Sequence, residues 1–316
     1  MAASYQTGTA TSPVDLVQLL ATWLTAQGWT QDMSQADGAG WRLHMHKGSD
    51  YVNIKAAMNQ APYTGGAAGY GVACYLGTGF SSGSVWNAQA GGPKDATANT
   101  YTIGALIQLN SGALNAYYFF DDGADNVVVV VERSAGLFTH FEFGITLTKA
   151  GAWTGGQYVG GSIALSDLNS ASTNKPGVTI NALAPFHTDS NFALAYVRAD
   201  VDTFLNKWVT LTSYTSTQYY TGKRAAGSLS ESIVSSIPHY EYFGKYPVNA
   251  LNSGLILLPI RIYAERDGGG YSLIGSLPQI FACYNNTSNG YSAGQIVSIG
   301  AENYMVFPNF LIKKLA

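Results

Sequence analysis

The sequence predicts an α+β protein, mainly antiparallel β-sheet with one N-terminal amphipathic helix and long Gly-rich loops. Three observations predict it. Apolar residues recur at helical spacing once, over Val14–Leu24, between recognisable start and stop signals. Elsewhere they alternate with period two or form blocks of strand length bounded by turn residues. Finally, 36 of the 316 residues are Gly and 21 are Tyr, a balance that suits turns and sheet surfaces.

The helix comes first. Thr11 or Ser12 caps it, Pro13 fits its first position, and Asp15 places negative charge in the first turn. Val14, Leu16, Val17, Leu20, Trp23 and Leu24 form its apolar stripe, and Gly28 ends it. Strands are expected at Trp41–His46 and Tyr51–Ala56, joined by the polar turn Lys47–Asp50, and at Gly71–Leu76. Residues 77–113 read as a long surface excursion containing Trp86 and Pro93. A meander follows: Ala116–Phe120, Val127–Glu132 and Thr139–Thr146, with turns at 121–126 and 134–136. Val127–Val131 is apolar on both faces and is expected to be central. Residues 151–185 read as a Gly-, Ser- and Asn-rich loop region, and the signal from 186 to 250 is weak. There, Phe192–Val201 and Trp208–Thr212 suggest strands and Ser230–Ser236 a short helix. A final β run comprises Leu255–Glu265, Tyr271–Ile274, Gln279–Cys283, Gln295–Ile299 and Tyr304–Phe307, with a hairpin turn at Gly268–Gly270. We divide the chain into a helix-plus-antiparallel-sheet domain, 1–160, and a second β-rich region, 161–316, with one continuous domain as the alternative.

Composition narrows the function classes. Only 11% of residues are charged and 47% are hydrophobic, whereas a typical soluble domain is about 25% charged. Disorder needs the opposite balance. The longest apolar runs, Val127–Val131 and Leu255–Ile260, are strand-sized, so no membrane insertion is expected. The N-terminal residues lack the basic start and apolar core of a secretory signal. A net charge of −3 without a cationic stretch argues against direct nucleic-acid binding. Cys74 and Cys283 form neither a disulfide framework nor a zinc motif, and whether they pair is a matter of geometry. A neutral surface rich in Tyr, Ser, Thr, Asn and Gly suits contact with other subunits, because aromatics are favoured and charges depleted in interface cores.

Few motifs suggest chemistry. His44 and His46 share a strand face at a spacing some metal sites use, but alternation alone produces it. His140 and Glu142 share another, with neither nucleophile nor oxyanion donor in view. Asp121 and Asp125 with Glu132 resemble part of a calcium loop, yet Gly123 and Asn126 stand where the pattern needs an oxygen ligand and a glycine. A hairpin turn with Asp side chains on backbone amides explains them better. Gly79-Phe-Ser-Ser-Gly83 matches Gly-x-Ser-x-Gly without the helix a nucleophile elbow requires. Gly65–Gly71 leads into a strand, so it offers no helix N-terminus to phosphate. No catalytic, cofactor-binding or metal residue is assigned. The aromatic residues Trp86, Trp153, Tyr158, Tyr214, Tyr219 and Tyr220 are the candidate interface or sugar-stacking positions.

Several segments carry a family resemblance. They are Tyr5-Gln-Thr-Gly-Thr-Ala10 with the helix to Gly28 and Trp29, Trp41-Arg-Leu-His-Met-His-Lys-Gly-Ser-Asp-Tyr-Val-Asn-Ile54, Gly79–Trp86, Ala116–Phe120 and His140–Gly161. Leu257-Leu-Pro-Ile-Arg-Ile-Tyr263 and Gly300-Ala-Glu-Asn-Tyr-Met-Val-Phe-Pro308 complete the set. Together they resemble a family of tailed-bacteriophage virion structural proteins of the neck/collar or tail. The resemblance spans most of the chain and is weakest over 186–250. It implies a non-enzymatic, multi-copy virion component that forms a homo-oligomer, contacts other neck or tail proteins, and is assembled in the bacterial host cytoplasm. Two other classes are weighed against it. A tail-tip, baseplate or host-carbohydrate-binding module would use the aromatic residues as stacking platforms. A polysaccharide hydrolase needs two carboxylates facing one cleft, and Glu142 with Asp200 or Asp202 is the pair to test.

Overall fold

The computed structural model describes residues 2–62, 68–92, 105–161, 196–200, 207–212, 225–226, 258–265, 271–282, 290–308 and 310–314. Strand β1 (Ser4–Ala10) leads into helix α1 (Pro13–Ala26). Ser12 caps the helix by accepting the Asp15 amide at 3.1 Å, and Pro13 occupies the first turn. Asp15 in turn accepts from the Thr11 amide and hydroxyl. Gly28 follows in the left-handed region at φ 79°, where a side chain would be strained. Leu16, Val17, Leu20, Ala21, Trp23 and Leu24 are buried, as the sequence stripe requires.

Five antiparallel strands form the smaller sheet: β2 (Thr30–Asp37), β3 (Gly40–Lys47), β4 (Asp50–Gln60), β5 (Gly69–Gly77) and β6 (Ala105–Gln108), in sequential order. The expected hairpin at 47–50 closes with Lys47 opposite Asp50. No sequence signal marks β2 as a strand. It is a polar edge, Thr-Gln-Asp-Met-Ser-Gln-Ala-Asp, with no alternating apolar face to announce it.

The larger sheet has fourteen strands among the described residues. Its first half runs β1, β7 (Leu114–Asp121), β8 (Asn126–Ser134), β9 (Leu137–Gly144), β11 (Thr154–Gly161) and β12 (Tyr196–Asp200). The path continues through β13 (Lys207–Thr212) and the two-residue β14 (Ala225–Ala226) to β15 (Leu258–Glu265) and β16 (Tyr271–Ala282). It ends in β19 (Phe310–Lys314), β18 (Glu302–Phe307) and β17 (Ile296–Ile299), while β10 (Thr148–Lys149) pairs with β16 off the path. Pairing of β11 with β12 carries the sheet past residue 160 without a break.

Residues 154–161, expected as Gly-rich loop, are thus strand β11. Its irregularity is local: Gly155 and Gly156 have φ of 98° and 114° where the register with β12 shifts. β16 is one strand where two were expected. Its Pro278 lies where the ladder with β15 is interrupted between Pro259 and Arg261, so no paired amide is demanded of it. The possible helix Ser230–Ser236 and most of 186–250 lie outside the described residues.

The core explains the valine run. Val127, Val129 and Val131 face α1 and the small sheet, in one cluster with Leu20, Ile54, Cys74 and Phe119. Val128 and Val130 face the opposite way, in a second cluster with Phe138, Leu277, Phe307, Phe310 and Ile312. The β7–β8–β9–β11 layer is therefore covered on both faces, and burial of both parities removes the alternation a half-exposed strand shows.

Candidate functional site

The outer face of the small sheet carries the polar strand residues. Alternation sends Leu43, Met45, Val52 and Ile54 to the core and His44, Asn53 and Tyr75 to the other side. Residues 77–92 fold back over that side. His44 Nδ1 lies 2.6 Å from Asn53 Oδ1, while Asn53 Nδ2 faces the Tyr75 carbonyl. Burial lowers the His44 pKa, with the Asn53 bond opposing the shift, and the Phe80 ring covers it. Gln89 clamps the excursion, accepting from the Ser81 amide and donating to the Ser81 and Val85 carbonyls. Ser81 is followed by turns rather than a helix, so the Gly79–Gly83 match lacks the elbow geometry. His46 is engaged separately, by Asp32 at 2.9 Å and by stacking on Tyr51.

Trp86 belongs to this cover. It is 2% exposed, donates from Nε1 to the Pro62 carbonyl at 2.7 Å and meets Tyr75 edge-on. Its ring offers no face to a sugar. Tyr158 is 1% exposed in the second core cluster, its hydroxyl pKa raised well above the ordinary value, first by burial and then by nearby acids. Trp153 is partly buried: Nε1 donates to the Ile274 carbonyl at 3.0 Å, and Lys149 Nζ lies 4.7 Å from the ring centroid. Trp153 packs against the same core cluster that holds Tyr158, whereas Trp86 lies in the separate cover over the small sheet. Tyr214, Tyr219 and Tyr220 lie outside the described residues.

The acidic hairpin is a turn. Asp121 accepts the Gly123 amide, and Asp122 accepts the amides of Ala124 and Asn126 and the Asn126 side chain. Asp125 is engaged by Lys47, whose ammonium also donates to the Gln27 carbonyl. Lys47 thereby ties the helix C-terminus and the small sheet to the large one. Glu132 instead accepts the Gly136 amide, at the end of the next hairpin.

His140 and Glu142 are the buried ionisable residues on one face of β9. Their Nε2 and Oε2 atoms are 3.4 Å apart, between the two halves of the large sheet, and Phe310 lies against the imidazole. Burial pushes the Glu142 carboxyl well above the ordinary carboxylate range, which favours its neutral form. Gly144, next along this face, sits so close to Asn126 and Tyr158 that a Cβ there would come within 2.4 Å of both. Of the carboxylate pair weighed for a hydrolase, Asp200 stands away from Glu142 along the sheet. Glu142 is sealed from solvent, and its neighbour Gly160 on β11 is six positions from the Thr154 that pairs with Asp200. Asp202 is outside the described residues.

What reaches solvent is different. The large hydrophobic side chains exposed among the described residues are Val85, Leu273 and Ile296. Ile296 stands on β17, which among the described residues is the last strand of the large sheet and pairs with β18 alone. Sequence periodicity identified this strand but could not reveal that it is an edge, because edge position depends on pairing. No protein-family model matches the chain, and no curated protein matches it. Among the described residues, no helix is long and apolar enough to cross a membrane and no group of three metal-ligating side chains comes together.

Proposed function

We propose that this protein is a non-enzymatic structural component of a tailed-phage virion, present in multiple copies at the neck/collar or tail. The observation that carries the reading is an uncharged edge strand, β17, open to solvent at the end of the large sheet, in a chain only 11% charged. Low charge leaves little repulsion between copies, and an unpaired edge is a template for pairing with another chain. The resemblance of the strand and helix segments to virion proteins supplies the setting. The polar residues of the described sheets serve the fold: His44, Asn53 and Gln89 hold a loop over a sheet, and Asp121 and Asp122 shape a turn.

The test is the native mass in solution by light scattering after size exclusion. A species of several 33.5 kDa chains, or mass that rises with concentration, is expected. A monomer at every concentration would overturn self-assembly as the chain's own property.

A further inference from the structure

The copies need a contact. Resting on the self-association reading above, we propose that β17 pairs antiparallel with β17 of a second copy of this chain across a two-fold axis.

The other sheet edges are blunted. β1 shifts register between Gly8 and Ala10, and Lys314 covers the Tyr5 ring. β2 is bulged between Gln31 and Met33 and carries Asp32 and Asp37. β6 is largely buried, with Ala105, Leu106 and Ile107 in the protein interior. Bulges and charges are the usual protections of an edge against pairing. β17 carries no charge, and its one irregularity, a glycine bulge where Gly294 and Gln295 both bond Val306, precedes it; Ile-Val-Ser-Ile itself runs in unbroken register with β18 from Ile296–Met305 to Ile299–Glu302.

The ladder shows which groups are offered. Val306 donates to the Gln295 carbonyl. Antiparallel alternation then turns the backbone of Val297 and Ile299 toward β18, leaving the N–H and C=O of Ile296 and Ser298 facing outward. Centring a two-fold on Val297 sets Ile296 opposite Ser298 of the second copy, and Ser298 opposite Ile296. Each of these two pairs exchanges both its hydrogen bonds, so the strand satisfies itself.

The side chains agree with this occupant. No charge lies between Gln295 and Ile299, so the two-fold brings no like charges together. Ile296 is 47% exposed on one face. On the other, Val297 and Ile299 are half-buried with Phe281 and Tyr291 over Tyr304, Val306 and Leu311. A second β17 extends both apolar surfaces. The result is a two-fold contact, so a larger assembly would be built from dimers.

Ser298→Pro tests it, because the proline removes an outward N–H without touching the bonds to β18. Ser298→Ala is its control, since both lose the hydroxyl bond to Asn303 but the alanine keeps the amide. Native mass is measured for the wild type, both variants and Ile296→Lys, with circular dichroism to verify folding. Wild type and Ser298→Ala are expected to give even-numbered assemblies. Ser298→Pro and Ile296→Lys should weaken the dimer at least tenfold, and in the wild type the Ile296 and Ser298 amides should exchange slowly with deuterium. Should Ser298→Pro fail to fold, Ile296→Lys and the exchange data decide. Unchanged assembly in both substitutions, with fast exchange at these amides, overturns the β17 contact and leaves self-association standing. A monomeric wild type overturns both.

Discussion

Glu142 shows how placement sets the protonation of a carboxyl that the sequence puts beside a histidine on one strand face. A carboxyl beside a histidine suggests acid–base work, yet this one is sealed between sheets and held toward its neutral form by burial. The sign of its linkage follows. Its folded pKa lies above the unfolded value of about 4.5, so the unfolded chain releases the proton first as pH rises. Its contribution is fully present below the unfolded pKa and is lost as pH rises toward the folded one. Glu142→Gln is therefore expected to melt higher than wild type at pH 7–8 and to lose part of the decline in melting temperature above pH 4.5. Equal pH profiles for the two proteins would count against this assignment. Trp86 is a second case. Trp86→Ala should cost about 3–5 kcal/mol of stability, as expected for a buried aromatic, seen as a lower urea midpoint. Loss of a glycan interaction at unchanged stability would contradict its buried placement.

At the scale of elements, β8 separates two kinds of strand. On a half-exposed strand only one parity is costly to truncate. Here Val128 and Val129 face different clusters and both are fully buried. Val128→Ala and Val129→Ala should each cost about 1.5–3 kcal/mol, measured by urea unfolding; a large cost at one position alone would contradict two-sided burial. Helix α1 behaves as its sequence indicates because cap, first-turn proline, acidic residue and terminal glycine all agree with its apolar stripe. β2 and β11 lacked such agreement. The first is polar because it is an edge, and the second is Gly-rich because its backbone bulges beside β12.

For the whole molecule, polar ties among the described residues join the layers: Arg133 donates to Gln108 at 2.8 Å between the large and small sheets, and Gln279 donates to the Asn126 carbonyl at 2.6 Å between the halves of the large sheet. Lys47 links the helix end and small sheet to the 121–126 turn, and Gln157 donates to Asp50 at 2.7 Å across the same junction. Apolar burial carries the rest, with the central layer packed from both sides. If copies associate, mass action ties stability to concentration. The melting temperature of the wild type is then expected to rise with protein concentration, and that of Ser298→Pro to rise less. A melting temperature independent of concentration for both would oppose a folded-state assembly.

The sequence by itself determined the fold class, helix α1, the central position of Val127–Val131 and the turn chemistry of 121–126. Each rests on local periodicity, capping or side-chain-to-backbone bonding, which operates over a few residues. It also limited the chemistry, since the histidine and aspartate patterns matched no complete catalytic or metal arrangement. Only the tertiary structure decided that Trp86 and Tyr158 are buried, that Glu142 faces no cleft, and that Ile296 stands exposed on an open edge. Those properties depend on which distant strands pair and which loop covers which face. Tyr304 is packed over by β17, whereas the outer rim of β17 has no neighbour within the sheet among the described residues. Burial and edge position are set by long-range pairing, and local periodicity carries no record of the partner.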